Sequence, residues 1–158
     1  MRRTSGIRIP QRGFVPNGKT VHLPLESGVL VLLDTTVLID ILRGRPEAIQ
    51  RLAHLRRRGD RVITSPINVD EIVRGVRPDE QAVVDRLFAG IEVVPIQLSE
   101  GVASGNWRRD FASRGTTLSQ ADCLIAAVAV SHSAQLATGN PKDFPMPDLE
   151  IDHWPVGK

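Results

Sequence analysis

Five consecutive aliphatic residues, Val29–Leu33, restrict the fold of this chain more than any other stretch of its sequence. A short run without polar positions predicts a strand buried on both faces, as in a parallel sheet covered by helices. Asp34 follows directly, and Thr35 and Thr36 favour the start of a helix. Ligands of open α/β sheets bind beyond the carboxyl ends of the strands, so Asp34 is a candidate site residue. Capping of the next helix explains Asp34 alone equally well.

Strand-like and helix-like segments alternate along the rest of the chain. Further strands are predicted at 61–65, 91–96, 135–138 and 149–154, and helices at 36–42, 46–58, 68–75, 78–89, 99–113 and 119–130. This alternation predicts an α/β fold, a three-layer sandwich with a mostly parallel central sheet. Asn68 is predicted to cap the helix at 68–75. Pro95 lacks an amide donor, which places its strand near an edge of the sheet.

The basic charge of the chain is concentrated at its start. Residues 1–28 contain four arginines and one lysine against one glutamate, whereas 29–158 contain 15 of the 20 basic and 17 of the 18 acidic residues. With three prolines and no hydrophobic periodicity, residues 1–28 are predicted to form a flexible basic extension before a domain at 29–158. Contact with nucleic acid and a merely accessory role both stay open for this extension.

The single cysteine, Cys123, excludes an internal disulfide. It lies in an apolar helical stretch, which predicts a small buried core residue and suits a reducing compartment. The sequence shows no signal peptide with an apolar core, and no apolar run of the roughly 20 residues that a membrane helix needs. We therefore expect a cytoplasmic protein without membrane contact.

Four acidic residues follow predicted strands or begin predicted helices. They are Asp34, Glu71, Asp122 and Asp143. In a parallel sheet these positions meet at one edge, where uncompensated carboxylates repel one another and take up protons. Carboxylate ligands without cysteine or a histidine pair favour Mg²⁺ or Mn²⁺ over Zn²⁺. Such an ion binds phosphates and activates water, so the predicted reaction is hydrolysis of a phosphodiester.

The segments around these acids resemble a known family. Leu32–Asp40, Glu71–Gly75, Asp122–Ala127 and Thr138–Phe144, in this order, are similar to the motifs of PIN-domain ribonucleases. The similarity is greatest to the VapC toxins of bacterial toxin–antitoxin pairs and covers residues 29–154. Each motif is weak alone, whereas four in order at plausible spacing are quite specific.

This resemblance implies a Mg²⁺- or Mn²⁺-dependent endoribonuclease that usually cuts tRNA or ribosomal RNA. The residues that match the family's metal-holding catalytic acids are Asp34, Glu71, Asp122 and Asp143. Thr35 and Thr138 match positions where a hydroxyl orients an acid or a water, and Asn140 lies in the matching loop. The resemblance also implies a homodimer and a DNA-binding VapB-like antitoxin, whose tail blocks the acidic groove, often with an arginine.

Two further acids leave questions open. Asp70 adjoins Glu71, although Glu71 fits the register of the family motif. Asp40 follows Asp34 by a turn and a half of helix, where it reaches the metal site or serves structure, for instance through Arg74. The sequence does not decide between these roles.

Other functions are weighed against the same residues. A phosphatase of the haloacid-dehalogenase type also opens with a strand-borne Asp, but the position of its general acid is Thr36 here. A receiver domain normally has paired acids on its first strand and a lysine after its last strand, and neither is seen. No histidine lies in the context of a partnered nucleophile, and no glycine-rich phosphate loop is present. The alternative that stays open is a catalytically weak PIN domain that binds RNA or an antitoxin.

Overall fold

The computed structural model describes residues 28–158, so the predicted extension at 1–28 lies outside the described residues except for Gly28. The strands are β1 (Leu30–Leu33), β2 (Arg61–Thr64), β3 (Glu92–Val93), β4 (Gln135–Thr138) and β5 (Ile151–His153). The helices are α1 (Thr35–Leu42), α2 (Pro46–Arg58), α3 (Pro66–Gly75), α4 (Gln81–Ala89), α5 (Leu98–Ala112) and α6 (Gln120–Ser131), and a short 3-10 helix spans Pro141–Asp143. No helix in this part of the chain is long and apolar enough to cross a membrane.

The five strands form one sheet in the order β3-β2-β1-β4-β5, and every pairing in it is parallel. The central strand β1 pairs with β2 through Val31 and Val62, and with β4 through Leu32 and Leu136. The strand order reverses between β1 and β4, which makes the carboxyl ends of these two strands the expected ligand site. The predicted α/β fold class is confirmed.

Helices cover both faces of the sheet over two separate apolar clusters. Side chains of β1 alternate between them: Leu32 packs in the first cluster, with Ile125 of α6, and Leu33 packs in the second, with Leu38 of α1. The predicted burial of Cys123 is confirmed, because its side chain is fully buried and forms no disulfide, and this burial raises the pKa of its thiol. The site therefore rests on a sheet that is packed from both sides.

The start of α3 differs from the prediction. The helix begins at Pro66, and its N-cap is Ser65, whose hydroxyl accepts a hydrogen bond from the backbone nitrogen of Asn68 at 3.4 Å. The Asn68 side chain in turn accepts one from the Ser65 nitrogen at 3.2 Å. The prediction that Asn68 caps the helix was wrong, because Ser-Pro supplies both a cap and a preferred first residue.

Strands β3 and β5 and helix α4 are shorter than predicted. The edge position of the strand around Pro95 is confirmed, but β3 contains only two residues. Val94 still donates a hydrogen bond to Thr64 across this edge at 3.0 Å, and Pro95 has no donor with which to continue the ladder. Helix α4 begins at Gln81 instead of residue 78, after a turn in which the Arg77 nitrogen donates to the Glu80 carboxylate at 3.0 Å.

Replacing a core leucine should destabilise the domain far more than replacing an exposed one. Leu32 is completely buried, whereas Leu98 is 83% exposed. Leu32→Ala should lower the free energy of unfolding by about 2–5 kcal/mol through lost burial and a cavity, and Leu98→Ala by less than about 0.5 kcal/mol. Urea denaturation followed by circular dichroism measures both, and equal losses would contradict the assigned core.

Candidate functional site

Asp34 lies at the carboxyl end of β1, at the point where the strand order reverses. Its backbone nitrogen donates to the Ala137 carbonyl of β4 at 2.9 Å, and its carbonyl accepts from Leu38 at 3.0 Å. Asp34 occupies the N-cap position of α1, yet its side chain accepts no hydrogen bond from the helix backbone. The Asp34 carboxylate therefore does not cap the helix. It is nevertheless buried, with only 5% of the residue exposed, so other groups must compensate its charge.

Side chains from three segments hold the Asp34 carboxylate. Its Oδ2 atom accepts from the Thr36 hydroxyl at 3.0 Å and from the Thr138 hydroxyl at 2.7 Å. Its Oδ1 atom accepts a long hydrogen bond from the Asn68 amide at 3.5 Å. Since a buried carboxylate is costly without donors, these contacts both compensate its charge and fix its orientation.

Glu71 is the inward-facing acid of α3. Its carboxylate accepts a hydrogen bond from the Thr35 hydroxyl, and the Asn68 amide donates to the same hydroxyl oxygen at 3.1 Å. Glu71 is half-buried, whereas Asp70 is exposed. The structure thus decides between the two neighbouring acids in favour of Glu71, and it links Glu71 to Asp34 through Thr35 and Asn68.

Asp122 lies in the first turn of α6, where its backbone nitrogen donates to the Ser119 hydroxyl at 3.2 Å. Its pKa is raised from an ordinary 3.8 to about 6, first by burial and then by the negative charge of Asp143, with smaller contributions from Asp34 and Glu71. The nearby Ser119 side chain opposes this rise in the pKa of Asp122. Acids from four separate segments therefore act on one another at this end of the sheet.

The loop after β4 supplies the last acid. Asp143 lies in the exposed 3-10 helix, and the Asn140 amide donates a hydrogen bond to its carboxylate. The Asn140 backbone nitrogen donates to the Thr138 hydroxyl at 3.1 Å, so the same loop contacts both Asp143 and the hydroxyl that holds Asp34. Thr138 and Asn140, both expected to support the site, contact its acids directly.

Two residues of this network were not predicted as site residues. Asn68 is completely buried and donates to Asp34 and Thr35, but in the sequence it has the pattern of an ordinary helix cap. Thr36 bonds Asp34, and its position two residues after that acid was the only available signal. Asp40 is buried and accepts from the Gly157 nitrogen at 2.8 Å; among residues 28–158 it has no hydrogen bond to Arg74.

Comparison with known proteins identifies the family of this chain. The family model of the PIN domain matches residues 31–145. The chain belongs to the PIN-domain family. Ribonuclease VapC19 of Mycobacterium tuberculosis is 37% identical over 122 residues, which cover 75% of this chain and 96% of that relative. This match places the PIN domain within the VapC group.

Two further relatives extend the comparison. The tRNA(fMet)-specific endonuclease VapC of Salmonella typhimurium is 27% identical over 129 residues, which cover 78% of this chain and 96% of that protein. The crystal structure of DNA-bound VapBC from Salmonella typhimurium superposes with a TM-score of 0.70 at 26% identity, over 80% of this chain and 98% of that one. The matches therefore cover nearly the full length of both VapC chains.

The donors of this PIN domain suit a hard divalent cation. The carboxylate oxygens of Asp34, Glu71 and Asp143 accept hydrogen bonds from threonine and asparagine side chains. Within residues 28–158 no three Asp, Glu, His or Cys side chains are arranged to hold an ion by themselves. The fit to Mg²⁺ rests on donor chemistry alone, because Mg²⁺ takes oxygen ligands, whereas Zn²⁺ favours nitrogen and sulfur.

Asp122→Asn should stabilise the metal-free PIN domain at neutral pH. Because the folded pKa of Asp122, about 6, lies above its ordinary 3.8, the unfolded chain ionises first. The contribution of this group to stability therefore falls as the pH rises from about 4 to 6 and stays lost above that range. Asparagine carries no ionisable proton, so the variant does not suffer this loss.

Thermal melts in EDTA between about pH 4 and 8 test this expectation. The melting temperature of Asp122→Asn should exceed that of the wild type above about pH 6, and the difference should shrink toward about pH 4. Asp110→Asn, which changes an exposed acid of α5, is the matched control and should show no such trend. A difference that is independent of pH would contradict the raised pKa.

Proposed function

We propose that this protein is a Mg²⁺- or Mn²⁺-dependent endoribonuclease that hydrolyses RNA phosphodiester bonds as the toxin of a toxin–antitoxin pair. The observation that carries the proposal is the hydrogen-bond network at the end of β1: Thr35 and Asn68 link the carboxylates of Asp34 and Glu71. The loop after β4 adds Asp143, which Asn140 contacts, so negative charge from separate segments is concentrated there. A domain that only binds RNA gains nothing from concentrated negative charge, because RNA is itself a polyanion. A metal-dependent nuclease needs that charge, and membership in the VapC group supports the ribonuclease activity.

Each acid has a definite part in the proposed reaction. The residues that would hold the cation are Asp34, Glu71, Asp122 and Asp143. A bound cation would supply positive charge to compensate the phosphate and would lower the pKa of a water molecule. Thr36 and Thr138 keep the Asp34 carboxylate in one orientation, and Thr35 does the same for Glu71. Asn140 holds Asp143, the most exposed of the acids, toward the site.

The proposal includes substrates and partners. We expect tRNA or ribosomal RNA as substrate, a VapB-like antitoxin as inhibitor, a homodimer as the working form, and the cytoplasm as its location. Substrate class is supported by the VapC relative described as a tRNA(fMet)-specific endonuclease, and the antitoxin by the VapBC complex of similar fold. The excess negative charge around Asp122 also suits an inhibitor that places an arginine there.

Neutralising one acid of the site should remove cleavage without loss of the fold. Asp34→Asn and Glu71→Gln each delete a carboxylate charge that would hold the cation, so we expect RNA cleavage to fall at least about 100-fold. Asp70→Asn, which changes the exposed neighbour of Glu71, is the matched control and should cleave like the wild type. Cleavage of total RNA, followed by mapping of the new ends, measures all three. Wild-type rates in Asp34→Asn and Glu71→Gln would refute the site.

Removal of divalent cations should stop the reaction reversibly. We expect EDTA to abolish cleavage, and excess Mg²⁺ or Mn²⁺ to restore it, because carboxylate-only sites prefer these ions. Calorimetric titration of Mn²⁺ into the wild type and into Asp34→Asn gives a second readout, with binding expected only in the wild type. Cleavage that resists the chelator would contradict the metal-dependent mechanism. Metal binding without cleavage of any RNA would favour a catalytically weak binding module.

A further inference from the structure

Residues Trp154–Gly157, here called the clasp, run from the end of β5 to helix α1. At one end of the clasp, the Trp154 nitrogen donates to the Thr138 carbonyl of β4 at 2.9 Å. At the other end, the Gly157 nitrogen donates to Oδ2 of Asp40 on α1 at 2.8 Å. The clasp therefore bridges the strand that carries Thr138 and the helix that follows Asp34.

The middle of the clasp packs onto Gly139, the residue after β4. A Cβ atom placed on Gly139 would lie 2.3 Å from Cγ2 of Val156 and 3.1 Å from the Trp154 carbonyl oxygen. It would also lie 3.3 Å from the Thr36 hydroxyl oxygen. Gly139 is thus enclosed between the clasp and the site, and no larger residue fits there without displacement of Val156.

The position of Gly139 affects Asp34 through short contacts. The Gly139 nitrogen donates to the Thr36 hydroxyl at 2.9 Å, and this hydroxyl donates to Oδ2 of Asp34 at 3.0 Å. The neighbouring Thr138 hydroxyl donates to the same carboxylate oxygen at 2.7 Å. Two hydroxyls therefore donate to this oxygen, and both depend on the segment that the clasp covers. Thr138 belongs to that segment, and Thr36 accepts a hydrogen bond from it.

Asp40 is the unusual member of this arrangement. Its side chain is only 4% exposed, and its Oδ1 atom has no hydrogen-bond partner among the described residues. Burial of a carboxylate with one oxygen unsatisfied is unfavourable, so packing alone does not explain an acid at this position. The contact that it does make, with Gly157, is the one that anchors the clasp.

We propose that Asp40 is a positioning residue of the nuclease site. By holding Gly157, Asp40 keeps Val156 against Gly139, and thereby sets the orientation of the Asp34 carboxylate toward the cation. The inference rests on the proposed function, because it assigns the clasp a role in metal binding. It gives Asp40 a role at a distance, in place of direct contact with the metal or with Arg74.

Two substitutions of Asp40 separate this role from a general loss of packing. Asp40→Ala removes the acceptor of the Gly157 hydrogen bond, and it should lower the Mn²⁺ affinity about 10- to 100-fold, the usual effect of losing a partner of a metal ligand. The value of kcat should fall similarly, with KM for RNA little changed. Asp40→Asn keeps an oxygen acceptor and should recover most of both quantities. Lys158→Ala, outside the clasp and exposed, is the control and should match the wild type.

A second pair of variants leaves Asp40 intact. Gly139→Ala introduces a methyl group that clashes with Cγ2 of Val156, so it should also weaken Mn²⁺ binding. Adding Val156→Ala removes that atom and should restore part of the affinity. The restoration stays partial because the Trp154 oxygen and the Thr36 hydroxyl, at 3.1 and 3.3 Å, still crowd the new methyl group.

Hydrogen exchange of the Gly139 amide gives a readout that needs neither metal nor RNA. Its exchange, followed by NMR in EDTA, should be faster in Asp40→Ala than in the wild type and slow again in Asp40→Asn. Circular dichroism checks the fold of each variant, and the Gly139 and Val156 pair decides the matter if Asp40→Ala does not fold.

The outcomes separate the clasp from the nuclease activity. Unchanged Mn²⁺ affinity and unchanged Gly139 exchange in folded Asp40→Ala would overturn the positioning role, as would equal losses in Asp40→Ala and Asp40→Asn. If the wild type itself neither binds Mn²⁺ nor cleaves RNA, the proposed function fails, while the exchange rates still decide whether Asp40 holds the clasp.

Discussion

The hydrogen bonds around the Asp34 carboxylate are the interaction on which the site depends. The donors come from α1, α3 and the end of β4, through Thr36, Asn68 and Thr138. A carboxylate that is 5% exposed must be compensated, and here the compensation also brings three segments together. Without a parallel sheet whose β1 and β4 lie side by side, Thr138 would not reach Asp34, and the charge could not be buried at this point.

The site destabilises the fold at Asp122, whose ionised form is disfavoured there. Burial first, and the charge of neighbouring carboxylates second, raise its pKa, so the surrounding structure must offset both desolvation and repulsion. The offset is available because β1 is packed on both faces, by Leu32 on one side and Leu33 on the other. A destabilised cluster on a rigid support is typical of functional sites. Under the proposed function, a bound cation would offset the repulsion between these charges.

The sequence predicts the fold and the four acids because both follow from local patterns. Buried apolar runs such as Val29–Leu33 predict parallel strands. The carboxyl ends of parallel strands lie at one edge of the sheet, so the acids that follow them lie at that edge. The contacts that orient the acids are tertiary: Asn68 reaches Asp34 from 34 positions away, and Gly157 reaches Asp40 from 117. A buried asparagine within one turn of Ser-Pro looks like a cap until its neighbours in space are known. Helical spacing alone leaves the role of Asp40 open, because it does not show that the Asp40 carboxylate accepts a hydrogen bond from the Gly157 nitrogen.

The clasp shows how a catalytic carboxylate can depend on residues far along the chain. Asp34 is positioned by hydroxyls, the hydroxyls by Gly139, and Gly139 by packing against Val156. Each step is a direct contact, although Val156 and Gly157 themselves lie at the surface. The absence of a side chain at Gly139 permits this closeness, because a Cβ atom there would lie 2.3 Å from Cγ2 of Val156. Local opening of the last residues should therefore loosen the hydrogen bonds around Asp34 before the sheet unfolds, and under the proposed function it would also weaken binding of the cation.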